Sequence, residues 1–147
     1  MFKTINAEGL KALDSVIGAL SSGNRADLFH GLAVELEQQT KTRIQQEKTD
    51  PENDAPWKPW SINYARTRQT RGADGQERHS LLINEGHLLQ SIVGEFDDTG
   101  IAVGTNLVYA PWHQHTRPFL GISRDNREDL EDLVQNFYDE RLADGAL

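Results

Sequence analysis

The 147-residue chain contains no cysteine. That excludes disulfides, thiolate nucleophiles and Cys-ligated zinc. Long apolar runs are also missing, and none approaches the roughly 18 residues of a membrane span. The first ten residues, MFKTINAEGL, lack the apolar centre of a secretory signal. Bases are in deficit: 15 Lys and Arg against 23 Asp and Glu give a net charge of −8. Ordinary duplex-DNA binding needs clustered cations to displace counterions, so it does not fit this balance. The usual catalytic signatures are absent as well. There is no H-E-x-x-H, no G-x-x-x-x-G-K-[ST] and no G-x-S-x-G elbow around Ser91 or Ser123.

What is present suits one domain spanning 1–147 with one core. With 37% hydrophobic and 26% charged residues, the chain is polar for a globular domain. A small core of this kind leans on partners for stability. The charge is unevenly spread. Residues 95–147 hold eleven acids and four bases, a net −7. Residues 58–80 run the other way, with Lys58, Arg66, Arg68, Arg71 and Arg78 against Asp74 and Glu77. Opposed patches of this kind are either solvated faces or surfaces suited to head-to-tail contact between copies.

Periodicity predicts an α+β domain. Leu10, Leu13, Ile17 and Leu20 form a helical stripe over 8–21. Ser21-Ser22-Gly23 breaks it, and Asn24 with Asp27 resembles the start of a long helix over about 25–48. That helix carries Leu28, Leu32 and Leu36 in its first half. Its second half has Ile44 as its one large apolar side chain, which predicts a helix projecting from its own core. Pro51, Pro56, Pro59, Gly72 and Gly75 make residues 49–80 an irregular arm. A short helix is expected over 80–91, then a β-hairpin of 91–97 and 101–109 around Asp97-Asp98-Thr99-Gly100. A final helix starts at Ser123 or Asp125, with Glu128 completing a capping box. Its buried stripe is Leu130, Leu133, Val134, Phe137 and Leu142.

Three constellations could carry chemistry. His113 and His115 on a strand would point the same way and could share a metal, with His79 or His87 as a third donor. They lack a carboxylate at metal-site spacing, and a rim pair bonded to backbone is the simpler reading. Arg66, Arg68 and Arg71 lie near Trp57, Trp60 and Tyr64, a mix that suits single-stranded nucleic acid or a protein hot spot. The acidic balance favours the protein interface. Glu77 with Glu85, or Asp97 with Asp98, reads as surface and turn carboxylates rather than acid/base pairs.

Three blocks, in order, resemble the phage virion morphogenesis family. The first runs from Leu32-Ala33-Val34-Glu35-Leu36 through Arg43-Ile44-Gln45-Gln46 to Asp50-Pro51 and Trp57-Lys58-Pro59. The second is Leu82-Ile83-Asn84-Glu85-Gly86-His87-Leu88-Leu89-Gln90-Ser91-Ile92. The third joins Val103-Gly104-Thr105-Asn106, Tyr109-Ala110 and His113-Gln114 to Arg117-Pro118-Phe119-Leu120-Gly121. Two departures stand out. Glu52-Asn53 replaces the family's Asp-Gly, and only His115-Thr116 remains of a Gly-containing loop before Arg117.

The resemblance implies a non-enzymatic virion protein without cofactor or metal, assembled in the host cytoplasm. It would sit at the neck or head-proximal tail end, completing the tail or joining it to the head. Its expected partners are copies of itself in a ring, six-fold favoured with twelve-fold the alternative, and the adjoining neck, connector and tail proteins. DNA would be passing cargo, with the acidic final third facing the channel, and no membrane is involved. Expected interface residues are Trp57, Trp60, Arg66, Arg68, Arg71, His113, His115, Arg117 and Phe119. Of these, Trp57 and Trp60 are expected either to anchor the arm on a neighbouring subunit, exposed among the prolines, or to cap this protein's own core. The rival classes are a metal-dependent hydrolase or nuclease using His113 and His115, and a single-strand binding module.

Overall fold

The computed structural model describes residues 1–6, 9–69, 79–84 and 86–147. Arg71, Gly72, Asp74, Gly75, Glu77, Arg78 and Glu85 lie outside the described residues, as do the side chains of Arg68 and His79. The chain is α+β, as its periodicity predicts. Strand β1 (Phe2–Asn6) leads to helix α1 (Lys11–Val16) with a 3-10 turn (Ile17–Ala19), then to α2 (Ser22–Thr42) with a π turn (Arg43–Glu47). Next come α3 (Ile62–Gln69), the short ribbon β2 (His79–Ser80) and β3 (Ile83–Asn84), and α4 (His87–Ser91). The hairpin β4 (Val93–Phe96) and β5 (Gly100–Gly104), α5 (Ala110–Thr116) and α6 (Arg124–Ala143) complete the order.

The main sheet is antiparallel with strand order β1-β5-β4, so β5 is central. Period-two alternation turns Ile101 and Val103 of β5 inward together, and both are buried. The expected turn forms because the Asp97 carboxylate accepts from the backbone N–H groups of Thr99 (2.7 Å) and Gly100 (3.0 Å). The Thr99 hydroxyl, which donates to the same oxygen at 2.6 Å, and then those backbone bonds hold its pKa below the usual carboxylate value. The sequence reading did not anticipate β1. It pairs with β5 from Phe2↔Gly104 to Asn6↔Gly100, so its partner, not its own pattern, defines it.

Helix α2 packs across β4 and β5, with α6 beside it and α1 against α6. Leu28, Phe29, Leu32, Ala33 and Leu36 of α2 are buried with Leu10, Leu13, Leu130 and Val134. The approach of α2 to β4 is close enough to require glycine. A Cβ at Gly94 would collide with the Ala33 carbonyl. The helix begins one turn earlier than Asn24 suggests: Ser21 is the cap, its Oγ accepting from Asn24 N at 3.2 Å. At α6 the cap is Ser123, bonded to Asn126 N at 3.1 Å, and not the Asp125–Glu128 box. The helix expected over 80–91 shrinks to α4, because Gly86 adopts φ 80 and stops it extending backwards.

The second half of α2 does not project. Gln39, Thr40, Arg43 and Ile44 are buried within the chain's own core. Gln39 Nε2 donates to the Asn126 carbonyl at 3.1 Å, and the Thr40 hydroxyl to Leu36 O at 2.9 Å. Arg43 Nη1 donates to Phe119 O at 2.8 Å and Gly121 O at 3.3 Å, while Nη2 donates to Asn126 Oδ1. A polar helix face can therefore be an inward face when most of its donors find acceptors inside the fold.

Candidate interaction surfaces

The motif residues that carry the resemblance converge in space. Gln114 on α5 acts as a clamp: its Oε1 accepts from Phe119 N (3.0 Å) and Leu120 N (2.9 Å), and its Nε2 donates to Leu120 O (3.1 Å). Arg117 Nε donates to Lys58 O at 2.7 Å, and Nη2 to Pro59 O at 3.3 Å. Trp57 Nε1 donates to Pro118 O at 2.7 Å. A Cβ on Gly121 would meet Pro51 Cγ at 2.6 Å, so the start of the arm lies directly on the 118–121 turn. The second block joins the third through hydroxyls, Ser91 Oγ lying 2.6 Å from Thr105 Oγ1. Thr105 Oγ1 also accepts from Leu107 N at 3.2 Å. These motifs bolt segments of one chain together.

Two expected interface residues are corrected by this geometry. Trp57 is only 5% exposed, and Phe119 is fully buried. Prolines on either side of Trp57 do not expose it, because the Pro118 carbonyl gives its N–H a partner inside the fold. Trp60 is half-buried, edge-on to Tyr64 at 5.6 Å. Arg66 is exposed on α3, and Arg117 is half-buried against the arm. Arg68 shares α3 by its backbone.

The paired-histidine geometry is also corrected. His113 and His115 lie on helix α5, not on a strand. Two positions apart on a helix are about 200° apart around its axis, so the rings diverge. Among the described residues, no group of three His, Cys, Asp or Glu is placed to hold a metal ion. His113 instead sits edge-on to Tyr109 (5.6 Å, 89°) and Trp112 (5.1 Å, 73°). Burial, and then the Arg117 charge, push its pKa below the ordinary value of 6.5.

The sign of that shift gives a test. The unfolded chain takes a proton as pH falls through the ordinary histidine value, while the folded chain resists it. Acid therefore removes stability on this account. Between about pH 7 and 5, wild type should lose more stability than His113→Phe. Equal slopes in urea melts across that range would sink the assignment.

Sequence reasoning missed the outward patch. Val108 and Tyr109 lie in the turn before α5, not in a strand. Val108 is 94% exposed, Trp112 63% and Tyr109 43%. Pro111 in the first turn of α5 was the available signal, since proline there starts a helix rather than continuing a strand. A second apolar group, Val34, Val93 and Phe96, lies where α2 meets the edge strand β4. That edge is partly occupied: Glu37 Oε2 accepts from Gly94 N at 2.9 Å, and Lys41 pairs with Glu37 at 2.7 Å. The Lys41 hydrogen bond, with a lesser contribution from Gly94, holds the Glu37 pKa below its usual value. A carboxylate on an edge N–H discourages strand addition.

No helix among the described residues is long and apolar enough to cross a membrane. No curated relative and no solved structure matches the chain. The phage virion morphogenesis family matches residues 6–116, which take in the arm, the Gly-x-Leu helix and the His113-Gln114 clamp. With the family's motifs joining segments of one chain around its core, the chain belongs to the phage virion morphogenesis family as a bacteriophage virion protein.

Proposed function

We propose that the protein completes the tail, or joins it to the DNA-filled head, as the subunit of a closed ring at the head–tail junction. Six-fold symmetry is favoured, and twelve-fold is the alternative. The observation that carries the reading is the family match over most of the chain. Its charge polarity supports a ring. An acidic α6 and a basic stretch including Lys58 and Arg66 are different surfaces of one subunit, and a heterologous contact that closes needs two such surfaces. Neck, connector and tail proteins would flank the ring, and DNA would pass through as cargo. A net charge of −8 keeps DNA from adhering to the subunits.

A phage with this gene interrupted tests the proposal. Filled heads and separate, unjoined tails should accumulate, and supplying the protein in trans should restore whole particles. Normal particle yield without the protein would overturn the reading. Mass and symmetry of the purified protein and of its density in virions fix the stoichiometry.

A further inference from the structure

We propose that Val108, Tyr109 and Trp112 form a docking patch for the outer face of α6 on a second copy of this chain. The inference rests on the ring reading and names the two faces that meet. Trp112 is 63% exposed, and its ring lies edge-on to His113 at 5.1 Å. Exposed Trp and Tyr side chains are the type that concentrate binding energy at protein contacts.

Charge selects the occupant. Residues 106–117 carry Arg117 and no carboxylate. Lys58 joins them, because Arg117 holds its carbonyl. The complementary surface lies on the same chain. From Glu128 to Glu140, α6 has no base, while Glu128, Asp129, Asp132, Asp139 and Glu140 are exposed. Asp132, Asp139 and Leu142 fall on one line of the helix by their spacing, with Glu128 one turn before them already paired to Arg124 at 3.4 Å, and Leu142 is itself 53% exposed. That line offers carboxylates to a basic rim and an apolar end to an aromatic patch. Patch and line are separate surfaces, so each copy uses one on each neighbour and contact propagates head to tail. In this arrangement α6 faces the next subunit rather than the DNA channel.

The absence of native cysteine makes cross-linking clean. Thr116→Cys, exposed one turn along α5 from Trp112, and Asp132→Cys are introduced singly and together, and the assembled protein is treated with a short bis-maleimide. The double variant should yield a ladder of dimer, trimer and larger species, while each single variant yields none. Trp112→Ala, checked for wild-type circular dichroism, should weaken association about tenfold or more. High salt should weaken it further by screening the ionic rim. Dimers from Thr116→Cys alone would show a two-fold contact and overturn the proposal. A wild-type ring with no ladder from the double variant and no loss on Trp112→Ala would overturn it while leaving the ring reading intact. Wild-type protein that is monomeric in purified junctions would overturn both.

Discussion

Trp57→Ala is expected to lower the free energy of unfolding by about 3–5 kcal/mol, the usual range for truncating a buried aromatic. The indole is 5% exposed and packed in the main core, and its N–H is held by the Pro118 carbonyl at 2.7 Å. Truncation leaves a cavity and an unpaired carbonyl at the junction of the arm and the 118–121 turn. Urea unfolding read by circular dichroism checks it. Trp60→Ala provides the contrast. Its ring is half-buried and meets Tyr64 at an edge, so about 1–2 kcal/mol is expected. A Trp57→Ala protein as stable as wild type would return the indole to the surface and to an intersubunit role.

Arg43→Ala should destabilise to a similar degree, about 3–5 kcal/mol. The guanidinium is fully buried and donates to two backbone carbonyls and the Asn126 amide oxygen. Burial lowers its pKa, an effect opposed by the charges of Glu47, Asp54 and Asp50, and an arginine remains charged at any working pH. Removing it strands three acceptors in a low-dielectric interior. Arg43→Met, which keeps most of the volume, separates the two contributions: it should recover packing but not the acceptors. If Arg43→Met matched wild type in urea melts, the hydrogen bonds would contribute nothing measurable. A domain of ordinary stability, about 5–15 kcal/mol in total, would be left marginal by either alanine variant.

Much of the helical layout was legible from local pattern. The stripe of Leu130 and Val134 placed α6, because a period of 3.6 turns those side chains to one side. Asp97 to Gly100 marked the hairpin because a short side chain can satisfy turn N–H groups locally. The order of three motif blocks identified the family without any knowledge of their contacts.

Other features depended on partners that no local pattern contains. Arg43 reads as a surface residue on a fading helix, and its partner Phe119 is 76 residues away. Trp57 lies 61 residues from the carbonyl that buries it. Val108 and Tyr109 have strand-type side chains, but β5 ends at Gly104 and leaves them outside. The amino-acid sequence by itself therefore determined class, helix phase, turn chemistry and family, which rest on interactions within a few residues. Only the tertiary structure decided which polar and aromatic groups face inward. Burial of a polar group is favourable only once a distant donor or acceptor replaces water, and the fold alone brings those groups together.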